Sequence, residues 1–143
     1  MWTLQHQERL SSWFAFRKKI SLLTLEEAVF QTNTLWNTAH ISSQYYCQTL
    51  PEQWPDPWQL ILDNHYDNIG KALGMLYTLQ MSEHTCEIEL LCGVNDAEEF
   101  NLVSINNGLY TLNWDLNVQV NTPIIKNKNI VAKYSAQQLI NRG

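Results

Sequence analysis

Apolar positions recur at helical spacing through the first half of the chain and alternate through the second, with the change of period just after Glu83. Residues 4–20 set Leu4, Leu10, Trp13, Phe14 and Phe16 among Gln, Glu, Arg and Lys, which predicts a first helix. A second starts at Thr24, where Thr24 and Glu27 form a T-x-x-E capping box whose hydroxyl and carboxylate satisfy backbone donors reciprocally. Leu25, Ala28, Val29, Leu35, Trp36 and Ala39 carry its apolar rhythm. From Ile41 to Pro57 the periodicity disappears, because Pro51, Pro55 and Pro57 forbid a regular helix or central strand. Tyr45, Tyr46, Trp54 and Trp58 keep that segment too aromatic for a disordered linker. Asp56-Pro57 then begins a short helix over 57–63, with Asp as N-cap and Pro at the first helical position.

Ile69, Ala72, Leu73, Leu76, Tyr77 and Gln80 follow i, i+3, i+4, i+7 spacing and predict a helix over 65–81 with one buried face. Gly70 and Gly74 inside it each cost roughly 1 kcal/mol relative to Ala, so they are expected where another backbone approaches closely. Beyond Glu83, Cys86, Ile88, Leu90 and Cys92 alternate with Glu87 and Glu89, giving a strand with one apolar and one mostly acidic face. In "FNLVSINNGLYTLNW", Asn107-Gly108 supplies the positive φ angles of a type I′ hairpin turn. A last strand over about 129–134 and a short helix from Ser135 complete the chain. Helices first and antiparallel strands second describe a single α+β domain over residues 1–143, N-terminal helices followed by a small antiparallel sheet.

Composition narrows the function classes. Apolar residues are 45% of the 143, charged ones only 16%, and there are six Trp and six Tyr. Large amphipathic side chains with few charges point to surface covered by a partner, as against a Trp-rich monomer core. Net charge is −5, Arg17, Lys18 and Lys19 form the one basic cluster, and no Lys or Arg occurs between Lys71 and Lys126. That argues against nucleic acid, which needs clustered cations, and suits a protein partner with a basic face. Cys47, Cys86 and Cys92 form no CxxC, which favours neither a disulfide scaffold nor a zinc site and makes a reduced, intracellular setting the default. The N-terminus has no signal-peptide pattern and no apolar run reaches the ~18–20 residues of a membrane span, so a protein in solution is expected.

Catalytic candidates are few. A cysteine nucleophile needs a base and a group to orient it, yet His6, His40, His65 and His84 all precede the sheet. Cys86 and Cys92 read as core thiols, and no phosphate loop, HExxH or GxSxG occurs. Asp67 reads as a first-turn carboxylate worth roughly 0.3–1 kcal/mol of helix-dipole stabilisation, so its loss is expected to matter only slightly. Asp63, His65 and Asp67 are weighed as a metal cluster, and the spacing is weak support. The expectation is no enzyme, no catalytic residue, no metal and no cofactor. Tyr45, Tyr46, Trp54 and Trp58 are assigned to an interface, because the prolines stiffen the loop before a partner arrives. The alternative is that Trp54 and Trp58 cap the core.

The run from about Glu26 to Asp115, with "LWNTAH", Tyr45-Tyr46, "WPDPWQLI", "KALGMLYTL" and the late hairpin, resembles small tail and baseplate-assembly proteins of T4-like phages, particularly those of marine bacteria. The resemblance implies a transglutaminase-like or papain-like fold without its catalytic residues, since some members carry a Cys where this chain has Asp67. It further implies a non-enzymatic structural or assembly component of a phage tail or baseplate. Such a component would contact other phage structural proteins, in the virion or in the host cytoplasm during assembly, with no nucleic acid and no membrane as partner. Two alternatives stay open: a cysteine-dependent hydrolase or transamidase using Cys47 or Asp67, and a small host-directed phage regulator.

Overall fold

A computed structural model of the chain describes residues 1–42, 45–114, 117–121 and 130–140. Helices α1 (His6–Ser21), α2 (Leu25–Asn37), α3 (Pro57–Asp63) and α4 (Asn68–Gln80) precede strands β1 (Ile88–Asn95), β2 (Glu98–Ile105), β3 (Tyr110–Leu112), β4 (Gln119–Val120) and β5 (Ile130–Ser135), and α5 (Ala136–Ile140) follows. Among the described residues the strands form one antiparallel sheet in the order β4-β3-β2-β1-β5. The α+β reading therefore holds at the level of helices plus a small antiparallel sheet. Asn129, the expected first residue of the last strand, lies outside the described residues.

Local chemistry explains the helix boundaries. Thr24 caps α2 by accepting from the Glu27 N–H at 3.2 Å, and its hydroxyl donates to the Glu27 carboxylate at 2.9 Å. The return half of the expected capping box is thus between side chains, not from the carboxylate to a backbone donor. A full reciprocal box stands at α5: Ser135 Oγ accepts from the Gln138 N–H at 3.1 Å, and Gln138 Oε1 accepts from the Ser135 N–H at 2.9 Å. Asp56 caps α3 on the Gln59 N–H at 2.8 Å, with Pro57 at the first position. At the other end of α3, Asn64 turns left-handed with φ 55°. The buried Arg9 reaches in from α1 to donate to the Ile61 carbonyl at 2.9 Å, a cation at a helix C-terminus.

Helix α4 is the axis of the fold. The period predicts one buried face, but every residue from Ile69 to Leu79 is buried. The reason is that α2 and α3 pack on one side while β1, β2 and α5 pack on the other. Gly74 is required by a side chain, not by a backbone: a Cβ there would lie 2.5 Å from the Trp36 ring. Thr78, one turn later, accepts indole N–H groups from Trp13 at 2.9 Å and Trp36 at 3.0 Å, and donates to the Gly74 carbonyl at 2.6 Å. One hydroxyl thus ties α1 and α2 to α4.

In the sheet, Ile88, Leu90, Cys92, Val103, Ile105 and Leu112 join the main core. The other face is less acidic than expected, because Leu91 pairs with Leu102 and forms a second cluster with Phe100 and Ile130. The Asn107-Gly108 turn also differs from expectation. Ile105 pairs with Tyr110, so the loop has four residues, and Asn106, Asn107 and Gly108 all take positive φ (50°, 57° and 91°). Asn106 stabilises it by exchanging bonds with Glu87, its N–H on the Glu87 carbonyl at 2.8 Å and its Oδ1 under the Glu87 N–H at 3.0 Å. The two-residue turn lies instead at Asp96-Ala97 between β1 and β2, with φ 51° and 66°. Alanine is strained in that region, and Ala97 is exposed. Ala97→Gly is expected to raise the unfolding free energy by about 0.5–1 kcal/mol, read by urea denaturation. A loss of stability would show that the turn is not strained.

Candidate functional site

Two regions gather side chains with chemical potential. The first is the start of α4. Asp67 is buried there and is the N-cap; its Oδ1 accepts from the Gly70 N–H at 2.7 Å, and its Oδ2 accepts from the N–H groups of Tyr45 and Tyr46, both at 2.8 Å. Gly70 is needed because a Cβ would sit 2.8 Å from the His65 carbonyl. Opposite, Asn113 (φ 64°) donates its amide to Asn68 Oδ1 at 2.9 Å and to the Asn101 carbonyl at 2.9 Å, and its N–H to Asn33 Oδ1 at 3.0 Å. Gln48 donates to Asn101 Oδ1 at 3.1 Å and to the Phe100 carbonyl at 2.9 Å. The junction of α4, β2 and the end of β3 is therefore an amide-rich joint, in which Asp67 is held as an acceptor by three backbone donors. Both Asp67 oxygens are committed to backbone donors, and the surrounding carboxamides neither give nor take a proton near neutral pH.

Of the cysteines, Cys92 lies on β1 directly across from Asn101. Cys92 is buried, and burial above all, with Glu99 adding, pushes its thiol up to about 12, away from thiolate. Burial also raises Cys86. Cys86 shares with His84 a groove of about 580 Å³ between the end of α4 and β5. His84 Nε2, however, donates to the Ile20 carbonyl at 2.8 Å. Cys47 contacts the Thr49 hydroxyl at 3.2 Å. Among the described residues no three His, Cys, Asp or Glu side chains gather as a metal site. Asp63 is engaged by the Tyr46 hydroxyl at 3.1 Å and by Gln59 at 2.7 Å, and His65 stacks on Tyr45 at 4.1 Å.

The four residues assigned to an interface separate into different surroundings. Tyr46 and Trp54 are buried, which for Trp54 agrees with the alternative of an indole that caps the core. Burial and Asp63 both raise the Tyr46 hydroxyl, which keeps its proton and donates it. Trp54 donates its indole N–H to the Cys47 carbonyl at 2.8 Å and meets Tyr134 edge-on at 5.2 Å. The prolines fold this indole inward, as core. Tyr45 and Trp58 are exposed, at 56% and 52%.

Trp58 belongs to the second region, on α1 and α3. Its ring meets Trp13 edge-on at 5.9 Å, and the Arg17 guanidinium lies 4.3 Å from the Trp13 centroid, 5.5 Å from Phe14 and 5.8 Å from Trp58. Phe14 is half exposed and carries the Lys18 ammonium at 5.1 Å. Sequence reading found the basic cluster and Trp58 separately and missed their union. A signal was present: Trp13–Arg17 and Phe14–Lys18 are both i, i+4 pairs, which stack a cation on a ring along one helix face. Arg17 makes no ion pair among the described residues, its Nε has no hydrogen-bond partner, and burial lowers its hold on the proton. Among the described residues no helix is long and apolar enough to cross a membrane. Compared with protein-family models, with curated proteins and with solved structures, the chain matches none.

Proposed function

We propose that this protein is a non-enzymatic structural or assembly component that acts through protein–protein contacts, with the Phe14–Arg17–Trp58 surface as its contact. The observation that carries the reading is that the exposed Phe14 and Trp58 rings are held around a cation that makes no ion pair among the described residues. Trp and Arg are the side chains most enriched among interface hot spots, and rings already packed lose little freedom on binding. Arg17, Lys18 and Lys19 select an apolar partner surface that carries carboxylates.

The sequence resemblance to tail and baseplate-assembly proteins supports placing this contact within a phage tail. It also supports a transglutaminase-like reading of the fold. In such enzymes the helix start bears the nucleophile and the strands the base, and here Asp67 and Asn101 stand at the helix start and on the neighbouring strand. No peptidase or transamidase activity is expected, and amide turnover abolished by Cys47→Ala would overturn that.

The test of the contact is Trp58→Ala combined with Arg17→Glu. The variant should unfold cooperatively, as the wild type does, yet bind its tail partners at least ~30-fold more weakly, equivalent to roughly 2 kcal/mol. Unchanged incorporation of the variant into purified virions, counted by mass spectrometry, would contradict the proposal.

A further inference from the structure

The two ends of α4 carry surfaces of opposite charge. At the C-terminal end, Arg17 and Lys18 line a groove of about 390 Å³ with Phe14, Leu22, Met81 and Glu83. Two cations against one carboxylate leave the groove positive, and Phe14 and Leu22 give it exposed apolar walls. At the N-terminal end, Glu99 and Asn101 of β2 lie against Asp67, Asn68 and Ile69, which places the β1–β2 turn at the start of the helix. Every residue from Val94 to Glu99 is exposed. The tip therefore presents an apolar side chain, Val94, beside the carboxylates of Asp96 and Glu98, in a stretch of sequence with no Lys or Arg between Lys71 and Lys126. Its two-residue turn, with φ 51° and 66°, sets the shape of the tip before any contact, so little freedom is lost on docking. Helix α4 spans 13 residues and is therefore about 20 Å long. A chain cannot lay its own tip in its own groove across that distance, whereas a second copy can bring one to the other.

We propose that the β1–β2 tip of one copy docks on the Phe14–Arg17–Trp58 surface of another, with Val94 against the Phe14 and Trp58 rings and the Asp96 and Glu98 carboxylates paired with Arg17 and Lys18. The proposal rests on that surface being a protein contact and names what fills it in the free protein. The contact joins two different surfaces, and each copy has one of each to offer. Charge selects this pairing over a two-fold contact between two such patches, which would set Arg17, Lys18 and Lys19 against their own counterparts. One surface holds one occupant, so a second copy and a tail partner exclude each other.

The experiment is sedimentation of the full chain at concentrations up to about 1 mM, a range that reaches weak contacts. Two variants are compared with the wild type. The patch variant carries Phe14→Ala and Lys18→Glu. The tip variant carries Asp96→Asn and Glu98→Lys, with asparagine chosen because it keeps the left-handed backbone. All four positions are exposed, so both variants should fold, and an unchanged melting temperature checks that they do. The wild type should associate as its concentration rises, and each variant alone should do so at least about tenfold more weakly. Mixed in equal amounts, the two variants should regain association near wild-type strength and stop at two chains. The intact tip of the patch variant then meets the intact groove of the tip variant, and nothing is left to extend the pair. A wild type that stays monomeric, a mixture that does not recover, or a tip variant that associates like the wild type overturns the proposal. Failure of the surface itself is read separately, from incorporation of the Trp58→Ala, Arg17→Glu variant into virions.

Discussion

Asp67→Asn is expected to lower the unfolding free energy by about 3 kcal/mol, although it exchanges a single heavy atom. The carboxylate accepts three backbone N–H groups, two of them on Oδ2. A carboxamide has one acceptor oxygen. In either orientation its NH₂ faces at least one donor, leaving one or two buried N–H groups unpaired at roughly 1–3 kcal/mol each. The helix-dipole contribution, roughly 0.3–1 kcal/mol, is the smaller part. Read from sequence, the same substitution is only slightly destabilising, because the dipole was the one contribution visible there. Urea unfolding with an unchanged m-value and a lower midpoint is the expected record. A change below about 0.5 kcal/mol would mean that the 45–46 loop is not anchored on α4.

Thr78→Val is expected to cost about 2–4 kcal/mol, with no cavity to account for it. Valine matches threonine in shape but accepts no hydrogen bond, so the indole N–H groups of Trp13 and Trp36 both lose their acceptor in a fully buried site. Thr78→Ser keeps the acceptor and should retain most of the stability, which separates the hydrogen bonds from packing. If valine and serine were equally harmful, the methyl group and not the hydroxyl would be the important atom. Intrinsic Trp fluorescence reports the same event, since both indoles respond to loss of their hydrogen-bond acceptor.

What was legible in the sequence followed from local chemistry. The caps at Thr24 and Asp56 lie where side-chain type and spacing place them, and the change of period divides helices from strands. What was not legible depended on partners distant in the chain. Thr78 reads as an unremarkable helix residue until two tryptophans 65 and 42 positions away reach it. Gly74 signals a close approach, but only the fold shows that the approaching group is the Trp36 indole. The β1–β2 turn was hidden because Ala97 adopts a conformation that sequence rules reserve for glycine or asparagine. Trp54 and Trp58 look equivalent around "WPDPW". Yet one turns inward onto Cys47 and Tyr134, while the other faces outward beside Arg17. The candidate contact on α1 and α3 combines two signals distant in the chain, Arg17 and Trp58, so neither suggested it alone.

Hydroxyl-radical footprinting of the free chain and of the chain within the tail assembly proposed for it tests the proposed contact most directly. Phe14 and Trp58, half exposed in the isolated protein, should be oxidised readily when it is free and protected several-fold in the assembly. The exposed Val131 on β5 serves as a reference for general shielding. Protection confined to Phe14, Arg17 and Trp58 is the predicted result; equal oxidation of Phe14 and Trp58 in the free and assembled chain would contradict it.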